Sequence, residues 1–155
     1  MKTRHHLLAI TLAAALGAGL SLPALALGDA ARQQLEGIQA RWAEVNYKLP
    51  DKQREAAFAD LAQQAAQAVT AEPAAAELRI WHGIVLSTYA GAKGGLGALD
   101  LVKKAKAELE EALKLDPKAL DGSAYTSLGS LYYQVPGWPL GFGDDAKAEA
   151  LLKQA

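Results

Sequence analysis

The 155-residue chain contains no cysteine. That excludes disulfides, thiolate metal sites, iron–sulfur clusters, a cysteine nucleophile and lipid attachment through cysteine. Neither charge sign is in excess. The 16 basic residues face 17 acidic ones, a net charge of −1, so no strong field draws in a nucleic-acid backbone or an anionic membrane. Histidine is nearly missing: beyond His5 and His6 only His82 remains, too few for an imidazole cluster around zinc. No Gly-x-Ser-x-Gly turn exists to present a nucleophilic serine. No segment sustains the period-two alternation of a strand, so no sheet is expected. Long apolar runs are also lacking, with one exception at the N-terminus.

That exception has the layout of an export signal. Lys2, Arg4, His5 and His6 form a basic start, Leu7 to Leu22 is apolar with small residues, and Pro23 precedes Ala24-Leu25-Ala26. An Ala-x-Ala site of this kind predicts cleavage after Ala26. The apolar stretch is short for a membrane span of roughly 20 residues. The expectation is therefore a signal peptide over 1–26 and a periplasmic domain over 27–155, with no span after cleavage. At 51% hydrophobic residues the chain can fill a core.

The remainder reads as helix. Alanine is abundant, and Leu, Glu, Lys and Gln supply much of the rest, all strong helix formers. Leu35, Ile38, Trp42, Val45 and Leu49 recur in steps of three and four and put one stripe on one helical face. Pro50 closes that helix and Asp51 is placed to cap the next, whose stripe is Phe58, Leu61, Ala65, Ala68 and Val69, ending near Pro73. Leu78, Trp81, Val85 and Tyr89 mark a third helix, which the glycines from Gly91 to Gly97 are expected to break. Asp100 is the expected cap of a fourth helix, built on Val102, Ala105, Leu109 and Ala112 and stopped before Pro117. A fifth uses Leu120, Ala124, Leu128, Leu131 and Val135. Pro136 to Gly143 forms a loop, and Asp144 or Asp145 starts a sixth.

Six helices in three antiparallel pairs invite a test for repeats. Ala105-x3-Leu109-x2-Ala112-x4-Pro117 recurs in spacing as Ala148-x3-Leu152-x2-Ala155, and more loosely as Leu61-x3-Ala65-x2-Ala68-x4-Pro73. Upstream of the last pair lies Tyr125-x2-Leu128-Gly129-x2-Tyr132, in which Gly129 fits a helix crossing too close for a side chain. Gly83 holds the same place one unit earlier, although His82 and Leu86 stand there for the leucine and the tyrosine. Over about Leu61 to Ala155 the chain resembles the tetratricopeptide repeat (TPR) family, with a degenerate first unit from Asp29.

The resemblance implies an all-α, right-handed helical-repeat array of about three antiparallel helix pairs. It departs from the family in one respect. Gly83 to Ala105 is 22 residues and Gly129 to Ala148 is 19, where the family's unit allows about 12. Long intra-repeat loops of roughly seven to ten extra residues are therefore expected, and loops of that kind are often functional. Behind an export signal, with the segment Pro136-Gly-Trp-Pro-Leu-Gly-Phe-Gly-Asp-Asp145, the chain is also similar to periplasmic TPR-type components associated with tripartite (TRAP) solute transporters.

Few residues suit chemistry. His82 sits where the repeat wants a packing residue, and Asp144 with Asp145 fits capping of exposed amides better than binding of a hard cation. The run Gly91 to Gly97 lacks the Gly-Lys-Ser/Thr order of a phosphate loop. Neither an enzymatic centre, a metal site nor a cofactor is expected. What the family resemblance implies instead is binding: the inner face of each first helix lines a groove. Carried across from Gly83 and Gly129, that face offers Glu77, Ile80, Ile84, Ser87 and Thr88, then Ser123, Thr126, Ser130, Tyr133 and Gln134. Ile80, Ile84, Ser87, Thr126, Ser130, Tyr133 and Gln134 are the expected partner-binding residues. No Lys or Arg is among them, which disfavours a clamp for a terminal carboxylate and favours a peptide gripped by apolar and neutral polar contacts. Trp138 and Phe142 are expected loop anchors. Leu151 and Leu152 lie on a last helix that nothing covers, so either the chain continues or that edge meets another protein, a route to oligomerisation.

Overall fold

A computed structural model describes residues 27–155; the expected signal segment lies outside the described residues. Six α-helices follow in order: α1 (Asp29–Lys48), α2 (Asp51–Ala71), α3 (Ala76–Lys93), α4 (Ala98–Leu115), α5 (Ser123–Gln134) and α6 (Asp145–Leu152), with a single 3-10 turn, Ala119–Gly122, ahead of α5. No strand occurs among the described residues. The fold is all-α.

The helix ends follow local chemistry. Leu49 is extended (φ −82°, ψ 142°) because Pro50 disfavours a helical residue before it. Asp116, before Pro117, is likewise extended (φ −152°, ψ 102°). The end of α3 is a glycine turn, with Gly94 and Gly95 at φ +64° and +60°, a region that L side chains rarely adopt. α6 starts at Asp144, whose carboxylate accepts the Lys147 backbone N–H at 3.0 Å. Two other expected caps are displaced: Asp51 lies inside the first turn of α2, and Asp100 lies inside α4, which begins at Ala98. Leu120 belongs to the 3-10 turn, with left-handed φ of 48°, and not to α5.

Each helix packs on its neighbour in the chain, and the odd-numbered helices also touch one another, α1 on α3 and α3 on α5. No comparable contact joins α2 to α4 or α4 to α6. The odd row is therefore the tighter, inner layer and the even row the outer one, the layering of a helical-repeat array.

Two of the three pairs share one contact. A Cβ on Gly83 would lie 2.7 Å from Leu109 Cγ and 3.3 Å from the Ala105 carbonyl oxygen. A Cβ on Gly129 would lie 2.8 Å from Leu152 Cγ and 3.2 Å from the Ala148 carbonyl oxygen. In each pair a bare glycine on the first helix admits the leucine and the alanine of an Ala-x3-Leu motif on the second. The spacing of these motifs anticipated both crossings. In the α1–α2 pair Leu61, Ala65 and Ala68 are buried, but the only glycine on α1, Gly37, has open space around it. That pair lacks the glycine crossing.

The expected long loops are found once. Residues 135–144 form a ten-residue loop between α5 and α6, whereas α3 and α4 are joined by only four residues, 94–97. The excess length in the α3–α4 unit is helix: both helices have 18 residues. Gly91 does not end α3, since nothing crowds it and the helix continues to Lys93.

Candidate functional site: a neutral groove on the inner row

The groove lies where α3 and α5 run side by side on the inner row. Ile84, Ser87 and Thr88 come from α3; Thr126, Ser127, Ser130, Leu131 and Gln134 come from α5; together they line an open groove of about 290 Å³. The helical repeat of 3.6 residues explains the selection, because positions three and four apart share one face. None of the lining side chains carries a charge.

The hydroxyls are held in place by their own helices. Ser87 Oγ donates to the Gly83 carbonyl at 2.8 Å, Thr88 Oγ1 to the Ile84 carbonyl at 2.9 Å, and Ser130 Oγ to the Thr126 carbonyl at 2.9 Å. This is the usual back-bonding of helical Ser and Thr to the preceding turn. Thr88 also accepts the Trp42 indole N–H at 3.0 Å. Trp42 packs edge-on against Trp81, with ring centroids 5.9 Å apart. α1 thus covers part of the inner face of α3 beside the groove.

Beside the groove lies an apolar pocket of about 240 Å³, with which it shares Ser87, Leu131 and Gln134. The pocket walls are Ala90, Leu99, Val102, Val135 and Pro136, contributed by the end of α3, the start of α4 and the first residues of the α5–α6 loop.

Five of the seven expected groove residues line the cavity: Ile84, Ser87, Thr126, Ser130 and Gln134. Ile80 does not. It is fully buried, 0% exposed, and belongs to the core. Tyr133 is 70% exposed and outside the cavity lining; it lies one residue from Gln134, turned about 100° around α5. Ser127 was missed because position alone did not separate it from the flank of α5. Leu131 and Val102 were recognised only as members of core stripes, and nothing in their periodicity announced that one side of each borders open space.

The two expected loop anchors behave differently. Trp138 is 90% exposed, with Leu140 exposed beside it. Phe142 instead folds back, partly buried, and packs edge-on against the buried Tyr132 with ring centroids 5.3 Å apart. The loop is closed at its base: Gly143 donates to the Pro136 carbonyl and Asp144 to the Tyr132 carbonyl, both at 3.0 Å. A side chain at Gly143 would collide with the Val135 carbonyl oxygen. Phe142 therefore holds the loop down while Trp138 projects from it.

His82 lies off the groove, in an interhelical polar cluster. Arg79 Nη1 donates to Glu108 Oε2 at 2.8 Å, and His82 Nδ1 stands 3.4 Å from Glu108 Oε1, joining α3 to α4. Burial by itself would push the Glu108 carboxyl up, but His82 and Arg79 outweigh it and hold the group below its ordinary range. His82 Nδ1 is buried without a hydrogen-bond partner. The cavity beside it is walled by α2 alanines, Gln63, Leu86, Tyr89, Leu101 and Lys104 and presents no serine. The cluster ties two helices together. Asp144 acts as the α6 cap described above, and no group of three or more His, Asp or Glu among the described residues is placed to hold a metal ion. No described helix is long and apolar enough to cross a membrane.

No family model matches the chain, and no curated protein matches it.

Proposed function

We propose that this chain is a TPR-like scaffold of the periplasm, exported by its N-terminal segment, which holds a peptide segment of a partner protein in the groove between α3 and α5 and carries out no chemistry of its own. The observation that carries this reading is the groove itself: an open, uncharged channel lined in register by two helices of the inner row. The repeated glycine crossing supports the family assignment. The basic, apolar and Ala-x-Ala order of residues 2–26 supports export. Rigid helices presenting fixed polar groups and an apolar pocket suit recognition of an extended or helical segment. Trp138 offers a second contact, since a large exposed aromatic on a closed loop makes an effective interface anchor.

Site-specific photocross-linking in cells tests the proposal. A photoreactive residue at Ser130, in the groove, is expected to yield protein adducts that the same residue at Gln67, on the exposed side of α2, does not. Identical adducts from both positions would remove the groove assignment. The reading as a small-ligand accessory of a solute transporter requires an enclosed cavity. The apolar pocket is instead open to the surface and adjoins the groove, the two sharing Ser87, Leu131 and Gln134, which favours a polypeptide occupant.

A further inference from the structure

The hydrogen-bond accounting of the groove specifies its occupant further. A hydroxyl carries one proton and two lone pairs. Ser87, Thr88 and Ser130 each spend that proton on a carbonyl of their own helix. What they can still offer a ligand is acceptance alone, unless an intrahelical bond is given up. Thr88 has part of that capacity occupied by the Trp42 indole; Ser87 and Ser130 keep both lone pairs. The Gln134 side chain adds a further carbonyl acceptor, and its amide, with the Thr126 and Ser127 hydroxyls, supplies the donors of the lining. No ammonium or guanidinium group lines either cavity. A carboxylate placed here would find few donors and no counter-charge, and stripping it of water would cost more than these return.

The apolar pocket adds a second requirement. About 150 Å³ is enough for a benzene ring in an apolar protein cavity, and this pocket holds about 240 Å³ with walls of Leu, Val, Ala and Pro. Ser87 and Gln134 line this pocket as well as the groove, so a chain whose side chain fills the pocket runs its backbone past the hydroxyl row.

Resting on the peptide-groove reading, we infer that the occupant is an uncharged peptide stretch that donates backbone N–H groups to Ser87 and Ser130 and inserts one large aliphatic or aromatic side chain between Val102 and Leu131, with Asp and Glu excluded from the positions beside that anchor.

The test uses the whole protein and a positional library of acetylated, amidated hexapeptides. The expected result is enrichment of Leu, Met or Phe at one position and depletion of Asp and Glu at its neighbours. Each backbone nitrogen of the best binder is then methylated in turn, which removes one donor and leaves the protein untouched. Loss of one hydrogen bond is expected to weaken binding about five- to tenfold at one or two of these nitrogens. Val102→Trp fills the pocket and is expected to abolish selection for the apolar anchor while far-UV circular dichroism stays unchanged; should that variant unfold, the methylation series decides. Enrichment of acidic residues, or N-methyl analogues that all bind like the parent, overturns this inference and leaves the groove standing. If no hexapeptide binds, the inference falls; if cross-linking from Ser130 also matches that from Gln67, the peptide-groove reading falls with it.

Discussion

The α3–α4 and α5–α6 units solve the same packing problem with the same residues and then spend their remaining length in opposite ways. Both close on a glycine that receives a leucine and an alanine from the facing helix. The α3–α4 unit uses its excess length as helix, two 18-residue rods joined by four residues. The α5–α6 unit has helices of 12 and 8 residues and places its excess in a ten-residue loop. Close approach at one crossing sets the register of a pair and leaves the rest of the connection free. The long α3 extends beside the loop base and builds the apolar pocket with it, while the loop itself projects Trp138. Each unit supplies a part of the candidate surface that the other cannot.

The contrast predicts unequal sensitivity at equivalent positions. Leu109 is fully buried, whereas Leu152 is 45% exposed. Leu109→Ala is expected to cost about 2–5 kcal/mol and Leu152→Ala about 1 kcal/mol or less, compared by urea unfolding. Equal losses would show that the two crossings carry the same load. The glycines should separate next. Gly83→Ala forces a methyl onto a leucine that cannot leave, an overpacking cost of about 1–3 kcal/mol against which about 1 kcal/mol of helix propensity is regained. At Gly129 the facing Leu152 can swing toward solvent, so Gly129→Ala is expected to be near neutral. Gly91→Ala, with nothing within 4 Å of the added methyl, is the control and should stabilise by about 0.5–1 kcal/mol.

A smaller effect separates the helix starts. α6 has a side-chain cap in Asp144, whereas α4 is preceded by Gly97, which has no side chain to cap it. Asp144→Ala is expected to cost about 1 kcal/mol, visible as faster hydrogen exchange of the α6 amides while the α4 amides keep their protection. The mildest test concerns pH. The Glu108 carboxyl, held low in the folded state by His82 and Arg79, contributes stability above its ordinary value of about 4.3. That contribution is lost as pH falls through the depressed folded value. Melting temperatures of wild type and Glu108→Gln are therefore expected to converge as the pH is lowered from about 6 to about 3. A constant gap between the two would mean that the cluster does not titrate with folding.

Much of this architecture was legible beforehand. Stripes at steps of three and four located five helices, the aspartates at 144 and 145 the start of the sixth, prolines 50, 73 and 117 three ends, and the paired glycine and Ala-x3-Leu spacings two crossings. These signals are legible because each is local: a proline acts on its own turn, and a glycine marks a place where only hydrogen fits. The glycine run after Tyr89 misled because Gly91 has the composition of a breaker and the surroundings of an ordinary helix position. Register alone placed five of the seven expected groove residues on the lining of one cavity. Ile80 was not, since its burial depends on what packs over α3, and periodicity describes only the helix that carries it.

By itself the sequence determined that the chain would be helical, where most rods would stop, which pairs would approach to contact, and that no cysteine chemistry is available. Tertiary structure alone decided that α1 covers part of the inner face through Trp42 and Thr88, that Phe142 turns inward while Trp138 turns out, and that the spare residues of the α3–α4 unit become helix. The physical reason is the range of the forces involved. Backbone preferences and capping act within a turn or two and are written in adjacent residues. Whether an apolar face is covered depends on a partner tens of residues away, whose position follows from the packing of the whole array.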